Sequence, residues 1–463
     1  MHIHVPAPIA ALAYRSKKGN RQMAFSLQGV RVPHRKNTAD KPAVRMEAPK
    51  TVTIPMSMHI GAPAKPVIKV GDLVRVGTLI AEAGGAVSAP IHASVSGKVT
   101  KIADFLLSDG RIVPAVVIES DGTMAADESL TPPTVDSRES FIEAVKSAGI
   151  VGLGGAGFPT HFKLNADPAK IEHLIINGAE CEPYVTSDTL TMQERSADME
   201  LALEAMKTYL GIRHIIIGIE NNKKKAIESM KALMTKVAQG CTAEVKVLPA
   251  VYPQGGEKVL IYHTTGKVVP MGKLPIDVGC VVINCTTLAT IGAYLRTGMP
   301  LVEKCVTVDG GAVKEPKNVL VPIGTSMAEV FDFCGGMANE SPAKVVYGGP
   351  MMGIAVPDTS APILKNTNAI LALTEKEVKL PKTTACIRCG SCTNTCPFGI
   401  NPAEIARAYK KRDAVALNDL SLMACMECGC CSFVCPANRP LVQTNKLAKV
   451  FLKEEQAKEG KKA

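Results

Sequence analysis

Between Thr51 and about Ile118, short runs rich in Val and Ile alternate with Gly and Pro. The stretches Val70-Gly71-Asp72-Leu73-Val74 and Ala93-Ser94-Val95-Ser96-Gly97-Lys98-Val99 echo one another, a strand–turn–strand pattern that predicts a compact all-β domain. Pro132-Pro133 and its polar neighbours mark a linker. The period then changes. Ser140 is placed to cap a helix running through Ala148, Leu174-Ile175-Ile176 reads as a buried strand, and Ala197 to Leu210 as a helix. His214 to Gly218 and Val245 to Leu248 read as strands flanking a further helix, which is α/β order. Residues 303–373 turn β-rich again, with Asp309-Gly310-Gly311 and Tyr347-Gly348-Gly349-Pro350 as turns around one helix near Ser326 to Phe333. A charged, Pro-bearing linker covers 376–382, and beyond Thr383 lie cysteine motifs and helices. The expected division is a leader at 1–22, domains at 23–135, 136–300, 301–375 and 376–452, and a basic tail at 453–463.

Composition narrows the class. A chain of 463 residues is too long for one ordinary domain, and 46% hydrophobic residues are enough for sizeable cores. The formal charge of +10 is spread along the chain, and its densest run, Lys223-Lys224-Lys225, reads as a solvated helix face. Without an arginine-rich arm or stacking aromatics, nucleic acid is not an expected partner. The most apolar stretch, Gly279 to Leu295, carries Asn284, Thr286, Thr287 and Thr290, and reads as a buried strand and helix, not a membrane span. No signal-peptide pattern opens the chain, so its 15 cysteines point to thiolate ligands in a reducing compartment.

Eight of those cysteines form a repeat. Cys386, Cys389, Cys392 and Cys396 follow C-x2-C-x2-C-x3-C-P, and so do Cys425, Cys428, Cys431 and Cys435. Three closely spaced thiolates on a tight loop can face three corners of one cubane, while the fourth begins the next helix and reaches the neighbouring cluster. The expected ligand sets for two [4Fe–4S] clusters are therefore Cys386, Cys389, Cys392 with Cys435, and Cys425, Cys428, Cys431 with Cys396. Asn401-Pro402 then opens the connecting helix as N-cap and first residue. Four thiolates also suit zinc, but two complete copies, each closed by Pro, argue against it. Cys430 is a neighbour of the ligands, and Cys181, Cys241, Cys280, Cys285, Cys305 and Cys334 lack ligand spacing and read as small buried hydrophobes.

The all-β segment resembles the barrel-sandwich of biotinyl and lipoyl carriers. Its hairpin tip reads Ala86-Val87-Ser88-Ala89-Pro90 with no modifiable lysine, so a docking role is expected in place of a swinging arm. Gly152-Leu153-Gly154-Gly155-Ala156-Gly157 satisfies G-x-G-x-x-G, yet it follows a helix-like stretch and runs into Phe158-Pro159-Thr160, unlike a dinucleotide fingerprint. A loop so poor in β-carbons can still wrap a phosphate or lie beneath a ring.

The words around that loop are more specific. Gly154 to Thr160 with Lys163, then Asn177-Gly178-Ala179-Glu180-Cys181-Glu182-Pro183, Tyr252-Pro253-Gln254-Gly255-Gly256-Glu257 and Ile283 to Thr287, are similar, in order, to the flavin- and NADH-binding subunit of respiratory complex I. The resemblance implies FMN held by Gly155, Gly157, Lys163, Asn177 and Asn284, a nicotinamide packed near Phe158, and flavin or nucleotide contacts from Glu180, Glu182, Tyr252, Gly255 and Glu257. Phe158, Glu180 and Glu182 become the candidate catalytic residues. Ala179 and Gly256 depart from the family's Asp and Glu.

Taken with Ile60-Gly61-Ala62-Pro63-Ala64 and Ser88 to Gly97 before the flavin words, and the twin clusters after them, the whole order resembles the RnfC subunit of the Rnf ion-translocating electron transport complex. Residues 28–33 depart from that family's usual entry. The resemblance implies a multidomain α+β and α/β chain: barrel-sandwich, α/β flavin domain, β-grasp-like domain and a helical two-[4Fe–4S] ferredoxin-like domain. It implies a peripheral subunit on the cytoplasmic face of the membrane, exchanging electrons with NAD(H) and a ferredoxin-linked subunit beside other membrane subunits that pump ions. A flavin suits that role because it converts between hydride and single-electron transfer. Soluble paralogues linked to cobalamin or proline reductases, and a cluster-bearing scaffold without NADH activity, remain competing readings. The cobalamin type places its barrel-sandwich after the flavin domain, not before it.

Overall fold

The computed structural model describes residues 29–338, 341–379 and 381–460; the expected leader lies outside the described residues. The chain divides into two compact units, one of residues 33–250 and 279–379, the other of residues up to 32, 251–278 and 380–463.

In the first unit, β1 (Ala43–Arg45) precedes the barrel-sandwich strands: β2 (Thr51–Pro55), β3 (Lys65–Pro66), β4 (Leu73–Val74), β5 (Leu79–Glu82), β6 (Ile91–His92), β7 (Gly97–Leu106) and β8 (Ile112–Ser120). They form a sheet β2-β8-β7-β4 and a smaller one β3-β5-β6. Alternation puts Val52, Ile54, Val99, Val116 and Ile118 fully inside, as a half-buried sheet requires.

Helix α1 (Arg138–Ser147) begins earlier than expected. Its N-cap is Ser137, not Ser140, because the two serines form a reciprocal capping box in which Ser140 sits at the third position. After α2 (Thr160–Leu164) comes a parallel sheet built from β9 (His173–Asn177), α3 (Ser187–Glu194), α4 (Ser196–Leu210), β10 (His214–Glu220), α5 (Lys224–Val237) and β11 (Thr242–Leu248). The chain then leaves this unit: residues 251–278, with helix α6 (Glu257–Thr265), belong to the other. It returns at β12 (Cys280–Asn284) and α7 (Cys285–Thr297), so the apolar 279–295 stretch is a buried strand and helix. The strand order β11-β10-β9-β12 reverses direction between β9 and β12. Such a switch point opens a crevice at the carboxyl ends of the strands.

Strands β13 (Glu303–Asp309), β14 (Lys317–Pro322), β15 (Lys344–Tyr347), β16 (Ile354–Val356) and β17 (Ala369–Leu373), with helix α8 (Met327–Phe333), complete the unit. They form one sheet in the order β1-β14-β13-β17-β15-β16. The three modules meet at Lys365, which is fully buried and donates to the carbonyls of Pro90 at 2.6 Å and Gly149 at 2.7 Å. Burial pulls its ammonium down to about 7.

The Lys223 end of the basic run is not a solvated face. Lys223 is buried and pairs with the Glu220 carboxylate, which also accepts the Glu180 N–H at 3.0 Å. Cys280, Cys285 and Cys334 are buried as expected, but Cys181, Cys241 and Cys305 are only half-buried.

The second unit holds α6 and the cysteine region: α9 (Ser391–Asn394), α10 (Pro402–Lys410), α11 (Ala414–Asp419), α12 (Cys430–Phe433) and α13 (Leu441–Gly460). Asn401 caps α10 through the Glu404 N–H, with Pro402 in the first turn. The core packs Val259 of α6 with Phe398, Ile400, Ile405, Leu417, Leu422 and Leu452. Among the described residues no helix is long and apolar enough to cross a membrane.

Candidate functional site

The glycine loop lies beside the switch point. Asn177 and Asn284, the last residues of β9 and β12, are register partners. Asn284 caps α7, its Oδ1 accepting the N–H groups of Thr286 and Thr287, and its Nδ2 donates to the Asp188 carboxylate at 2.7 Å. A β-carbon on Gly154 would stand 2.3 Å from that Nδ2, so only glycine lets the loop settle there. Gly154, Gly155 and Ala156 are exposed, and a β-carbon on Gly155 would meet none of the described residues within 4 Å. Gly157 is left-handed at φ 70°. Lys163, one turn into α2, reaches the Val282 carbonyl of β12 at 3.3 Å. Phe158 is half-buried and meets Phe162 edge-on at 5.7 Å. An open, glycine-lined ledge at a switch point, with an ammonium nearby, fits the phosphate and ring of FMN.

Residues that local spacing does not reveal hold this loop. Asn366 donates to the Gly155 carbonyl at 2.8 Å, and the Ile60 N–H to the Gly157 carbonyl at 3.2 Å. Asp188 is buried and accepts Thr286 Oγ1 at 2.6 Å besides Asn284. Burial, then the neighbouring Glu180, raise its carboxyl above the ordinary range. Lys36 Nζ donates to the carbonyls of Glu180 and Glu182, 2.9 Å each, and of Val185, stapling the 180–185 segment.

Both candidate carboxylates have internal partners. Glu180 accepts the Asp188 N–H at 2.8 Å, the Thr189 N–H at 3.2 Å and Thr189 Oγ1 at 2.6 Å, at the first turn of α3. Glu182 accepts the N–H groups of Met351 at 3.0 Å and Met352 at 2.8 Å, and burial pushes it up to about 7. The Asn177 Oδ1 accepts the Ala179 N–H at 3.1 Å. Tyr252, Gly255 and Glu257 belong to the second unit.

In that unit the two cysteine motifs share one backbone. Arg388 and Glu427, at equivalent positions, are left-handed at φ 56° and 63°, and the glycines after the second cysteines, Gly390 and Gly429, at 77° and 80°. Non-glycine residues hold such angles only where the surroundings enforce them. Cys396, Cys425, Cys428 and Cys431 line one cavity. Asn445, fully buried, donates to Cys425 Sγ at 3.4 Å while its Oδ1 has no hydrogen-bond partner among the described residues. Burial raises the Cys396 thiol to about 11 and Cys431 to about 12, with neighbouring cysteines adding to both. Cys425 is raised by burial as well. Among the described residues no group of three or more His, Cys, Asp or Glu side chains could hold a metal ion as placed. Four thiols spread around a cavity suit a polynuclear core, which takes them as thiolates and releases their protons.

Of the other set, Cys386 and Cys389 are exposed and Cys392 and Cys435 half-buried. Cys392 and Cys435 pack against the same cluster of Cys431, Leu441 and Val442. The Ser391 hydroxyl, 3.4 Å from Cys389 Sγ, lowers that thiol. The fourth cysteines do not begin the connecting helices. Cys396 and Cys435 sit on the turns after α9 and α12, because each four-residue helix ends before its Cys-Pro pair.

Matches to family models run along the chain in order: the RnfC barrel sandwich hybrid domain over residues 25–123, the Nuo51 FMN-binding domain over 145–293, the SLBB domain over 305–355 and the 4Fe-4S dicluster domain over 379–436. That order defines a flavo-iron–sulfur electron-transfer protein. Among curated relatives, the C subunit of the proton-translocating ferredoxin:NAD(+) oxidoreductase complex of Clostridium ljungdahlii is 44% identical over 80% of this chain and 81% of its own length. The C subunit of the Na(+)-translocating ferredoxin:NAD(+) oxidoreductase complex of Acetobacterium woodii is 42% identical over 83% and 87%. That of the ion-translocating oxidoreductase complex of Rhodobacter capsulatus is 41% identical over 94% and 85%. The chain belongs to the RnfC family, the C subunits of the Rnf ion-translocating oxidoreductase complexes.

Proposed function

We propose that this protein carries electrons between NAD(H), FMN and two [4Fe–4S] clusters as the peripheral RnfC subunit of a ferredoxin:NAD+ oxidoreductase complex. It works beside a ferredoxin-linked subunit and membrane subunits that translocate ions, at the cytoplasmic face. The modules are 23–135, 136–300, of which 251–278 pack in the second unit, 301–375 and 376–452.

When bound, FMN supplies the exchange between hydride and single-electron transfer. The chain's residues place it: Gly155 and Gly157 allow close backbone approach, Lys163 neutralises phosphate, and Asn177 and Asn284 define the end of the crevice. Phe158 offers a ring face for nicotinamide. Glu180 and Glu182 act by fixing the 180–185 loop. Cys386, Cys389, Cys392 and Cys435 hold the outer cluster, and Cys425, Cys428, Cys431 and Cys396 the inner one. The two sets differ in exposure, so the outer cluster is the accessible exchange point and the inner one is shielded from water.

The observation that carries the flavin assignment is the juxtaposition of Gly154 with Asn284 at the β9–β12 switch point. The test is anaerobic purification, identification of flavin after acid extraction, and NADH-to-viologen electron transfer. Bound FMN with NADH-dependent viologen reduction is expected. Protein loaded with FMN and clusters that shows no NADH oxidation would leave a scaffold.

A further inference from the structure

Tyr252 lies in the sequence words that resemble a flavin site, and its side chain is bonded within the second unit. It is 2% exposed, and its hydroxyl donates to the Cys428 carbonyl at 2.6 Å. Its backbone forms a two-way bridge with Val30: the Val30 N–H donates to the Tyr252 carbonyl at 2.8 Å, and the Tyr252 N–H to the Val30 carbonyl at 2.9 Å. The residue before Val30 closes the frame, because Thr395, next to Cys396, donates through Oγ1 to the Gly29 carbonyl at 3.0 Å. Cys430 Sγ stands 3.9 Å from the Tyr252 carbonyl. Nearby, Gly256, where the complex I pattern has Glu, leaves room for Met426 between the ligands Cys425 and Cys428: a β-carbon there would stand 2.3 Å from the Met426 methyl. Residues 29–30, 252 and the two ligand loops thus form one hydrogen-bonded frame, all within the second unit.

We propose that Tyr252 is a positioning residue of the inner iron–sulfur site, setting the Cys428 peptide and, through it, the reduction potential of the cluster. The inference rests on the cluster reading of the Cys396, Cys425, Cys428 and Cys431 cavity. Hydrogen bonds and dipoles around the thiolates tune a cluster's potential, and outer contacts hold its ligands in place. A hydroxyl donating to the Cys428 carbonyl polarises that peptide, draws electron density from the ligand residue and would favour the reduced, more negative state of a cluster held there. Removing it leaves a buried carbonyl without this donor and moves the potential down.

The test is Tyr252→Phe in the full chain, purified anaerobically, with iron and flavin contents and an EPR-monitored redox titration of both clusters. The expected result is unchanged iron and flavin, a more negative midpoint for the inner cluster and an unmoved outer one. Site-specific 3-fluorotyrosine at 252, a stronger donor of the same shape, should shift the inner midpoint the other way, a response that packing alone does not produce. Should Tyr252→Phe lose its cluster, the fluorotyrosine protein decides. Loss of flavin with both midpoints unchanged would overturn the proposal and return Tyr252 to the flavin site. Unmoved midpoints in both variants would overturn it too. Wild-type protein without iron would instead overturn the cluster reading beneath it.

Discussion

Gly154 lies so close over Asn284 that a β-carbon on the glycine would stand 2.3 Å from the asparagine Nδ2. The amide cannot yield, because it caps α7 and is bonded to Asp188. Gly154→Ala should therefore displace the loop and abolish flavin retention in a folded protein. Gly155→Ala has open space, so the chain itself tolerates it. Any loss of flavin there reports a ligand lying over that position. Flavin content after acid extraction, beside circular dichroism, checks both; a Gly155→Ala protein with normal FMN affinity would move the flavin off this ledge.

Lys163→Ala should weaken FMN binding roughly tenfold to a hundredfold, since a charge-assisted contact contributes about 1.5–3 kcal/mol. Lys163→Arg should keep part of the affinity. Equilibrium titration of apoprotein with FMN measures it, and equal dissociation constants for wild type and alanine variant would remove Lys163 from the phosphate site.

Anaerobic protein should hold about eight iron per chain. Cys396→Ser should disturb the cluster of Cys425, Cys428 and Cys431, whose cavity it lines, and spare the outer one. Cys430→Ser should leave both EPR signals nearly intact, although Cys430 borders the same cavity. Damage by Cys396→Ser to the signal of Cys386, Cys389 and Cys392 would reverse the pairing.

Acid should loosen the barrel-sandwich through its histidines. Burial, reinforced by Lys365, lowers His59 to about 4 and His92 to about 3, below the ordinary 6.5. The unfolded chain then binds more protons than the folded one between those values and 6.5, so stability falls as pH drops through that window. His92→Gln should lose stability less steeply between pH 7 and pH 5. Chemical unfolding midpoints of the two proteins at each pH check this; parallel slopes would show that His92 does not contribute.

What the sequence determined by itself is what local spacing controls. The two C-x2-C-x2-C-x3-C-P runs determine their own loops, since the positions of Arg388 and Glu427, and of Gly390 and Gly429, recur at the same offset and adopt the same left-handed angles. The glycine loop, the Asn401-Pro402 helix start and the strand character of Cys280–Asn284 were legible for the same reason. Tertiary structure alone decided where side chains made their bonds. Glu180 and Glu182 read as ligand contacts in sequence; only the fold shows that their carboxylates also accept backbone N–H groups of α3 and of the Met351 turn. Lys223 looks solvated, but the fold buries it against Glu220, three residues before it, whose carboxylate also takes the N–H of Glu180, 40 residues away in sequence. Asp188 and Asn366 carry no motif, and matter only because the sheet and the neighbouring module bring them to Asn284 and Gly155. Tyr252 sits among flavin words, yet its hydroxyl is bonded to Cys428, 176 residues away in sequence. A buried polar group must find a partner, and which partner is in reach depends on long-range packing that no local pattern encodes.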